Sequence, residues 1–345
     1  MDKKPITQKD IAQHLGLDHS TVSLALRNSK KISEAKRELI LKTAAEMGYR
    51  VNAAAANLAK HRSTSSEAPV KASLAWLNCW SNPKELLQYR EFQLYWEGAR
   101  ETASRLGYSL EEFIVEKEMT LERVKRIMLA RGIKGILLPP HPRRDTFKGI
   151  DWNQFSVLRF GRSIQYPLAH MISADQVGNM ICAYHEALKR GYRRIGMAGR
   201  PMEEHWNNFD AGYLKAQDLN AEKNRIPIFS MLEKNPLSQL AQFKEWLEAW
   251  QIDAIISATG GVSTMLKAAN YEIGTDIGLA TMSVLDTSID AGIYQNSDEI
   301  GRVAALSLIS QIQDNDTGVP KLFRKTLVQG AWVDGKSLPD RSRSL

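Results

Sequence analysis

A chain of 345 residues with 43% hydrophobic and 25% charged residues is long enough for more than one domain, and its composition excludes fibrous and low-complexity classes. Met1 to Asp10 is charged, no apolar run follows it, and no stretch approaches bilayer length, so a secreted or membrane protein is not expected and a cytoplasmic one is. The formal net charge is +7, and residues 1–62 carry +6 of it, with twelve Lys and Arg against six Asp and Glu. A basic excess confined to one small segment points to a polyanionic partner for that segment, because neutralising phosphates releases counterions.

The predicted elements begin with two short helices. Thr7 to Leu15 has apolar residues at helical spacing, Gly16 interrupts it, and Asp18 to Leu26 resumes it. Thr7 and Asp18 are suitable N-caps, Gly16 suits a left-handed turn, and Ala12 is small enough for a close helix crossing. A third helix is predicted from a Ser33 cap to Met47. Ile11, Leu15, Val22 and Leu26 should then share a core with Leu39, Ile40, Ala44 and Met47. This is the helix-turn-helix pattern of DNA-binding proteins.

The residues Ile6-Thr7-Gln8-Lys9-Asp10-Ile11-Ala12, Ser20-Thr21-Val22-Ser23-Leu24-Ala25-Leu26, Ile32-Ser33, Met47-Gly48-Tyr49 and Asn52-Ala53-Ala54-Ala55-Ala56-Asn57-Leu58 closely resemble, in order and spacing, the lactose-repressor (LacI-type) family of bacterial transcription regulators. The resemblance implies an all-α helix-turn-helix headpiece (1–50), a hinge helix and linker (51–70), and a two-lobed α/β periplasmic-binding-protein-like effector and dimerisation domain (71–345). It also implies a regulator, with repression the usual output, that binds double-stranded operator DNA of near-palindromic sequence as a homodimer.

In such a headpiece the second helix enters the major groove, which assigns His19, Ser20, Ser23 and Leu24 to base edges and Thr7, Thr21, Arg27, Asn28 and Lys31 to phosphates. The family commonly has Arg where Leu24 stands, so an apolar contact to a thymine methyl is expected in place of a bidentate contact to guanine. Asn52 can cap an Ala-rich helix to Lys60 that is too short to be stable alone. The resemblance assigns Asn52, Ala55, Leu58 and Ala59 to DNA, with Leu58 as a wedge that enters the minor groove and kinks the central step. The family usually has Pro where Val51 stands and often Arg where Ala56 stands.

A polar linker, Arg62 to Pro69, separates this segment from alternating short apolar runs and amphipathic helices, the mark of a parallel α/β sheet. Strands are predicted at Ser73 to Leu77, Ser109 to Val115, Gly135 to Leu138, Ser156 to Phe160, Arg194 to Ala198, Ala254 to Ser257 and Gly278 to Met282. Helices are predicted at Phe92 to Leu106, Leu121 to Arg131, Gln176 to Arg190, Phe209 to Leu219, Leu237 to Trp250 and Asp298 to Gln313. About 275 such residues exceed one doubly wound unit, so two lobes with a cleft are expected. The resemblance implies three chain crossings between lobes, expected near Arg162 to Met171, Ala291 to Gln295 and Lys325 to Val333.

Ligands of open α/β folds bind at the carboxyl ends of strands, which nominates Asn78, Trp80, His141, Arg162, Trp206 and Asn207. Sugar-responsive family members have an Arg at the position of Phe209, an Asn-Asp at Thr259-Gly260 and an Asp at Ser283, whereas Gln295 matches a family cleft position. Phe209, Thr259, Ser283 and Gln295 therefore join the candidate list, and the small-molecule effector is of unknown class, or the cleft has lost its ligand. Trp76 and Trp96 read as core. Trp80 and Trp206, in loops, read equally as core walls and as stacking surfaces. No Leu-heptad tail is visible after Val333, so a dimer is expected.

No nucleophile elbow, P-loop, dinucleotide fingerprint or metal-ligand spacing is present, so no enzyme activity, cofactor or metal is expected. Cys79 and Cys182 are expected as free thiols. The rival reading is a ligand-binding receptor or an enzyme on the same α/β scaffold without operator-specific binding.

Overall fold

The computed structural model describes residues 6–26, 32–49, 72–141, 147, 150–200, 208–220, 225–233 and 235–342, and the chain divides into two units, Met1–Pro69 and Val70–Leu345. Arg27, Asn28, Lys31 and the whole hinge segment with Asn52, Ala55, Leu58 and Ala59 lie outside the described residues, as do Trp206 and Asn207.

In the first unit α1 (Gln8–Leu15), α2 (His19–Leu26) and α3 (Glu34–Glu46) form a three-helix domain. Thr7 starts α1 with a reciprocal capping box: its hydroxyl accepts from Asp10 N while Asp10 Oδ2 accepts from Thr7 N at 2.7 Å. Gly16 ends α1 in the left-handed region, φ +60°. Ser33 precedes α3 with extended backbone, but its side chain makes no cap hydrogen bond, contrary to expectation. Ile11, Ala12, Val22, Ala25, Ile40 and Ala44 form the core, with Leu15, Leu26, Met47 and Tyr49 half-buried around it. Leu39 was expected in this core and is instead 52% exposed. The inward stripe of α3 runs Ile40, Thr43, Ala44 and Met47, spaced three, four and seven residues on, and Leu39 falls one residue off that stripe.

The second unit contains two six-stranded sheets. The first takes β1 (Ala72–Asn78), β2 (Tyr108–Ile114), β3 (Gly135–Leu138), β4 (Ser156–Phe160), β5 (His170–Ala174) and β11 (Lys325–Val328) in the order β2-β1-β3-β4-β5-β11, every pair parallel. The second takes β6 (Ile195–Gly199), β7 (Phe229–Ser230), β8 (Ala254–Ser257), β9 (Gly278–Thr281), β10 (Gly292–Tyr294) and β12 (Ala331–Val333) in the order β7-β6-β8-β9-β10-β12. Only the β10–β12 pair in it is antiparallel.

Helices cover both faces of each sheet, as buried parallel strands require. A short helix α4 (Pro83–Leu86) is followed by α5 (Arg90–Arg105), and α6 (Leu121–Ala130) packs on the opposite face of the first sheet. On the second sheet, α7 (Gln176–Lys189) and α8 (Phe209–Leu219) cover one face. The other carries a 3-10 turn (Pro236–Gln239), α9 (Leu240–Ala249) and α10 (Val262–Ala268). The last helix, α11 (Ser297–Gln313), returns to the first lobe and crosses α5 at very short range. A Cβ on Gly98 would lie 2.1 Å from Asp298 O, and one on Gly301 2.1 Å from Tyr95 O.

Strand β5 was not expected. It is buried along its whole length but carries His170 and Ser173, which interrupt the apolar run by which a buried strand is recognised. Its presence moves the first crossing: Arg162 to Met171 does not leave the first lobe but loops back to lay β5 parallel to β4, and the chain crosses only between Ala174 and Gln176. The second crossing is Gln295 and Asn296, with β10 occupying most of the segment expected to cross. The third is Gln329 and Gly330. The last two are tied together, since Asn296 Nδ2 donates to Gln329 O at 2.8 Å, and Asn179 Oδ1 of α7 accepts from Gly330 N at 2.8 Å.

Candidate functional site

On the headpiece, α2 presents His19 and Ser20 exposed and Thr21 and Leu24 half-buried. Ser23 is only 8% exposed, on the inward side with Val22, so its hydroxyl does not belong to the outward edge and it is withdrawn from the base-reading set. Thr7 is exposed, but its hydroxyl donates to Asp10 Oδ2 at 2.7 Å, so a phosphate at this point competes with the cap. Gln8 Nε2 donates to the Tyr49 hydroxyl at 3.1 Å and fixes the start of α1 against the end of the domain. The result is a rigid core that turns one polar edge of α2 outward.

Between the two lobes lies a cavity of about 410 Å³. Of the expected cleft residues, Arg162, Phe209, Thr259, Ser283 and Gln295 line it. Asn78, Trp80 and His141 do not, and the reason is hydrogen bonding. Asn78 is fully buried and its side chain donates to Pro83 O and Glu112 Oε1 and accepts from Trp80 N. Trp80 Nε1 donates to Pro140 O at 2.9 Å, with its ring packed among Tyr89, Phe92 and His141. His141 is 4% exposed and its Nε2 lies 2.8 Å from Cys79 O. Trp80 and His141 knit the ends of β1 and β3 together, while Asn78 ties β1 to β2 and to the start of α4. Trp76 is fully buried with Trp96 edge-on to it at 5.5 Å, as a core pair.

Several cleft residues carried no sequence signal. Glu91 and Tyr95 enter from α5, Ser173 from β5, Gln176 from α7 and Asp286 from the loop after β9. Glu91 Oε1 is buried without a hydrogen-bond partner among the described residues. Burial pushes the Glu91 carboxyl above its ordinary value, the neighbouring Asp286 carboxylate adds to this, and a hydrogen bond from Ser283 opposes it. The Tyr95 hydroxyl is also pushed up, first by burial and then by Glu91. Asp286 accepts from the main-chain amides of Arg90 at 2.8 Å and Glu91 at 3.3 Å, so a carboxylate of the second lobe caps the first turn of a helix in the first lobe. Tyr89, at the N-cap of α5, supplies no side-chain cap of its own.

Gln295 Nε2 donates to Met282 O at 2.9 Å, Gln176 Oε1 accepts from Asn208 N at 2.9 Å, and Thr281 Oγ1 donates to Ser283 O at 3.0 Å. Arg162 has no hydrogen bond or ion pair with any described residue. Among the described residues the cleft thus offers neutral polar groups, the cation Arg162 and the two acids Glu91 and Asp286 around an aromatic wall of Phe92, Tyr95 and Phe209. The Cys79 thiol is pushed up to about 12 by burial, which keeps it in the unreactive protonated form. Among the described residues no group of His, Cys, Asp or Glu is placed to hold a metal, and no helix is long and apolar enough to cross a membrane.

A helix-turn-helix domain with an outward polar reading edge, joined in one chain to a two-lobed α/β domain, defines a DNA-binding regulator of transcription. Residues 7–52 match the family model for bacterial regulatory proteins of the lacI family, and the chain is a DNA-binding regulator of transcription. It is similar along 94% of its length to the HTH-type transcriptional regulator MalR of Streptococcus pneumoniae, with 22% identity over 98% of that protein. Among solved structures it is similar to a transcriptional regulator CelR–cellobiose complex, with 17% identity, 96% of this chain, 99% of that one and a TM-score of 0.57. A second is the Lac repressor dimer bound to operator and the anti-inducer ONPF, with 19% identity, 97% of this chain, 100% of that one and a TM-score of 0.53. The relatives are regulators of transcription, not enzymes.

Proposed function

We propose that the chain is a cytoplasmic repressor that binds a near-palindromic operator as a homodimer and is tuned by a small molecule in the interlobe cleft. The observation that carries this reading is the outward edge of α2, which offers His19, Ser20 and Leu24 to a major groove while the rest of the domain is closed around its core. Residues 1–50 act as the reading domain and 51–70 as hinge and linker. Residues 71–345 bind effector and dimerise, without catalysis. In the reading domain Thr21, Arg27, Asn28 and Lys31 hold phosphates. In the hinge Asn52 caps and Ala55, Leu58 and Ala59 face the minor groove.

Arg162, Thr259, Ser283 and Gln295 are the polar contacts of the effector, and Phe209 is an apolar one. CelR was solved with cellobiose, and a cavity of about 410 Å³ with neutral polar groups suits a mono- or disaccharide. A ligand preferring one lobe arrangement shifts the equilibrium between arrangements, and the shift reaches DNA through the hinge. Selection of bound sequences from random duplex DNA, with the full chain and with Leu58→Ala, tests the reading. The expected result is a near-palindrome with a flexible central step that blurs in the variant. Purely salt-sensitive binding with no recovered motif would overturn it.

A further inference from the structure

A second recess of about 410 Å³ opens on the first lobe, and of the cleft residues it shares only Arg162. It is built by β4, the loop 161–169 and the strand β11, which bring Arg159, Arg162 and Lys325 to one place beside Tyr166 and Phe323. Among the described residues no Asp or Glu lines it.

Arg159 is the unusual member. It sits within β4, is 6% exposed, and makes its two described hydrogen bonds to the main-chain carbonyls of Ile164 and Ala169. These bonds hold the loop in place, but they supply dipoles and no counter-charge. A buried guanidinium is ordinarily paired with a carboxylate, because removing an ion from water is costly unless another charge compensates it. Here the charged neighbour that acts on it is another cation: burial and then Arg162 both weaken the hold of Arg159 on its proton. The Lys325 ammonium has no hydrogen bond or ion pair with a described residue and rests over the Phe323 ring at 5.4 Å, which Arg159 also approaches at 6.0 Å. Three cations from three separate segments thus converge on a lined cavity, and no described carboxylate answers their charge.

We infer that this recess is an anion site for a phosphate-bearing small molecule. The Arg162 fork, the Arg159 Nη2 left over from its two carbonyl bonds and the Lys325 ammonium match the three terminal oxygens of a phosphate monoester, whereas a carboxylate offers only two. The volume exceeds that of a bare ion, so the rest of the ester lies along Tyr166 and Phe323. The inference shares Arg162 with the cleft reading and rests otherwise on Arg159, Lys325 and the lining of this recess, which the cleft does not contain.

The test is thermal unfolding and calorimetric titration of the full chain with inorganic phosphate, glycerol phosphate and acetate at matched ionic strength. The expected result is saturable binding of both phosphates, the ester at least as tightly as the ion, with acetate weaker. Lys325→Gln, which changes the recess and leaves the cleft lining intact, should weaken phosphate binding about tenfold, and Arg162→Gln should do so independently. Arg159 is left in place because it holds the loop. A neutral disaccharide that fails to bind would count against the cleft reading alone and would leave the phosphate results unchanged. An equal response to phosphate and chloride, or a Lys325→Gln affinity equal to that of the parent, would show that the recess is not an anion site.

Discussion

Replacing Asp286 tests how the two lobes are held together. Its carboxylate reaches from the second lobe to the first two amides of α5, at 2.8 and 3.3 Å, and α5 has no other side-chain cap. Loss of a side-chain cap costs about 1 kcal/mol, and a negative charge at a helix N-terminus contributes a further 0.3–1 kcal/mol or so. Asp286 is exposed, which places the effect at the low end of both ranges. One effect opposes it, because Asp286 also raises the proton affinity of Glu91, and removing it relieves that repulsion. The net expectation for Asp286→Ala is about 1 kcal/mol against the arrangement seen here, or roughly a fivefold change in the lobe equilibrium. Asp286→Asn should do less: it keeps one acceptor and tolerates the left-handed backbone at this position, φ +55°. Spin or fluorophore pairs with one label on each lobe read the distance distribution directly. If the Ala variant kept the parent distribution and melting temperature, the Asp286 cap would contribute nothing to holding the lobes together and the reasoning would fail.

The carboxyl of Glu91 is raised in the folded chain, so the folded state holds that proton more tightly than the unfolded one. Its contribution to stability is therefore complete at pH below the ordinary value of 4.5 and is lost as pH rises through the raised value. Glu91→Gln should flatten the dependence of the melting temperature on pH above 4.5 relative to the parent, and an unaltered pH slope would refute the assignment. Gly301→Ala should lower stability by about 1–3 kcal/mol, since the added Cβ meets a main-chain oxygen that cannot give way. Gly260→Ala, which meets nothing, is the control in the same thermal melts. Leu24→Arg should change base preference at one operator position by about 1–3 kcal/mol, visible as a new guanine in sequence selection. Identical selected sequences would show that Leu24 does not read a base.

Local pattern carried most of the fold and little of the cleft. The capping box of Thr7 and Asp10, the turn at Gly16 and the inward Ile11, Val22 and Ile40 all depend on neighbours within a few residues, so spacing reveals them. Leu39 shows the limit, since an apolar residue next to a core stripe looks like core until the helix phase is known. In the second unit, β5 was hidden by His170, whose Nδ1 accepts from Arg324 N at 2.9 Å and whose Nε2 faces Asp316 Oδ2 at 3.3 Å. Those partners lie about 150 residues along the chain, beyond any window of periodicity. Asn78 and His141 stand where ligand-binding residues of α/β folds stand, but position at a strand end does not say whether a side chain turns to the cleft or to Glu112 and Cys79.

The sequence by itself determined the helix-turn-helix domain, the location of the basic charge and the alternation of strands and helices, because each arises from residues that interact along the chain. Only the tertiary structure decided where the chain crosses between lobes, and which side chains face the cleft. It also placed Asp286 on the amides of α5 and gathered Arg159, Arg162 and Lys325 without a carboxylate. Sheet pairing between distant segments sets those positions, and burial and charge act on whatever that pairing brings together.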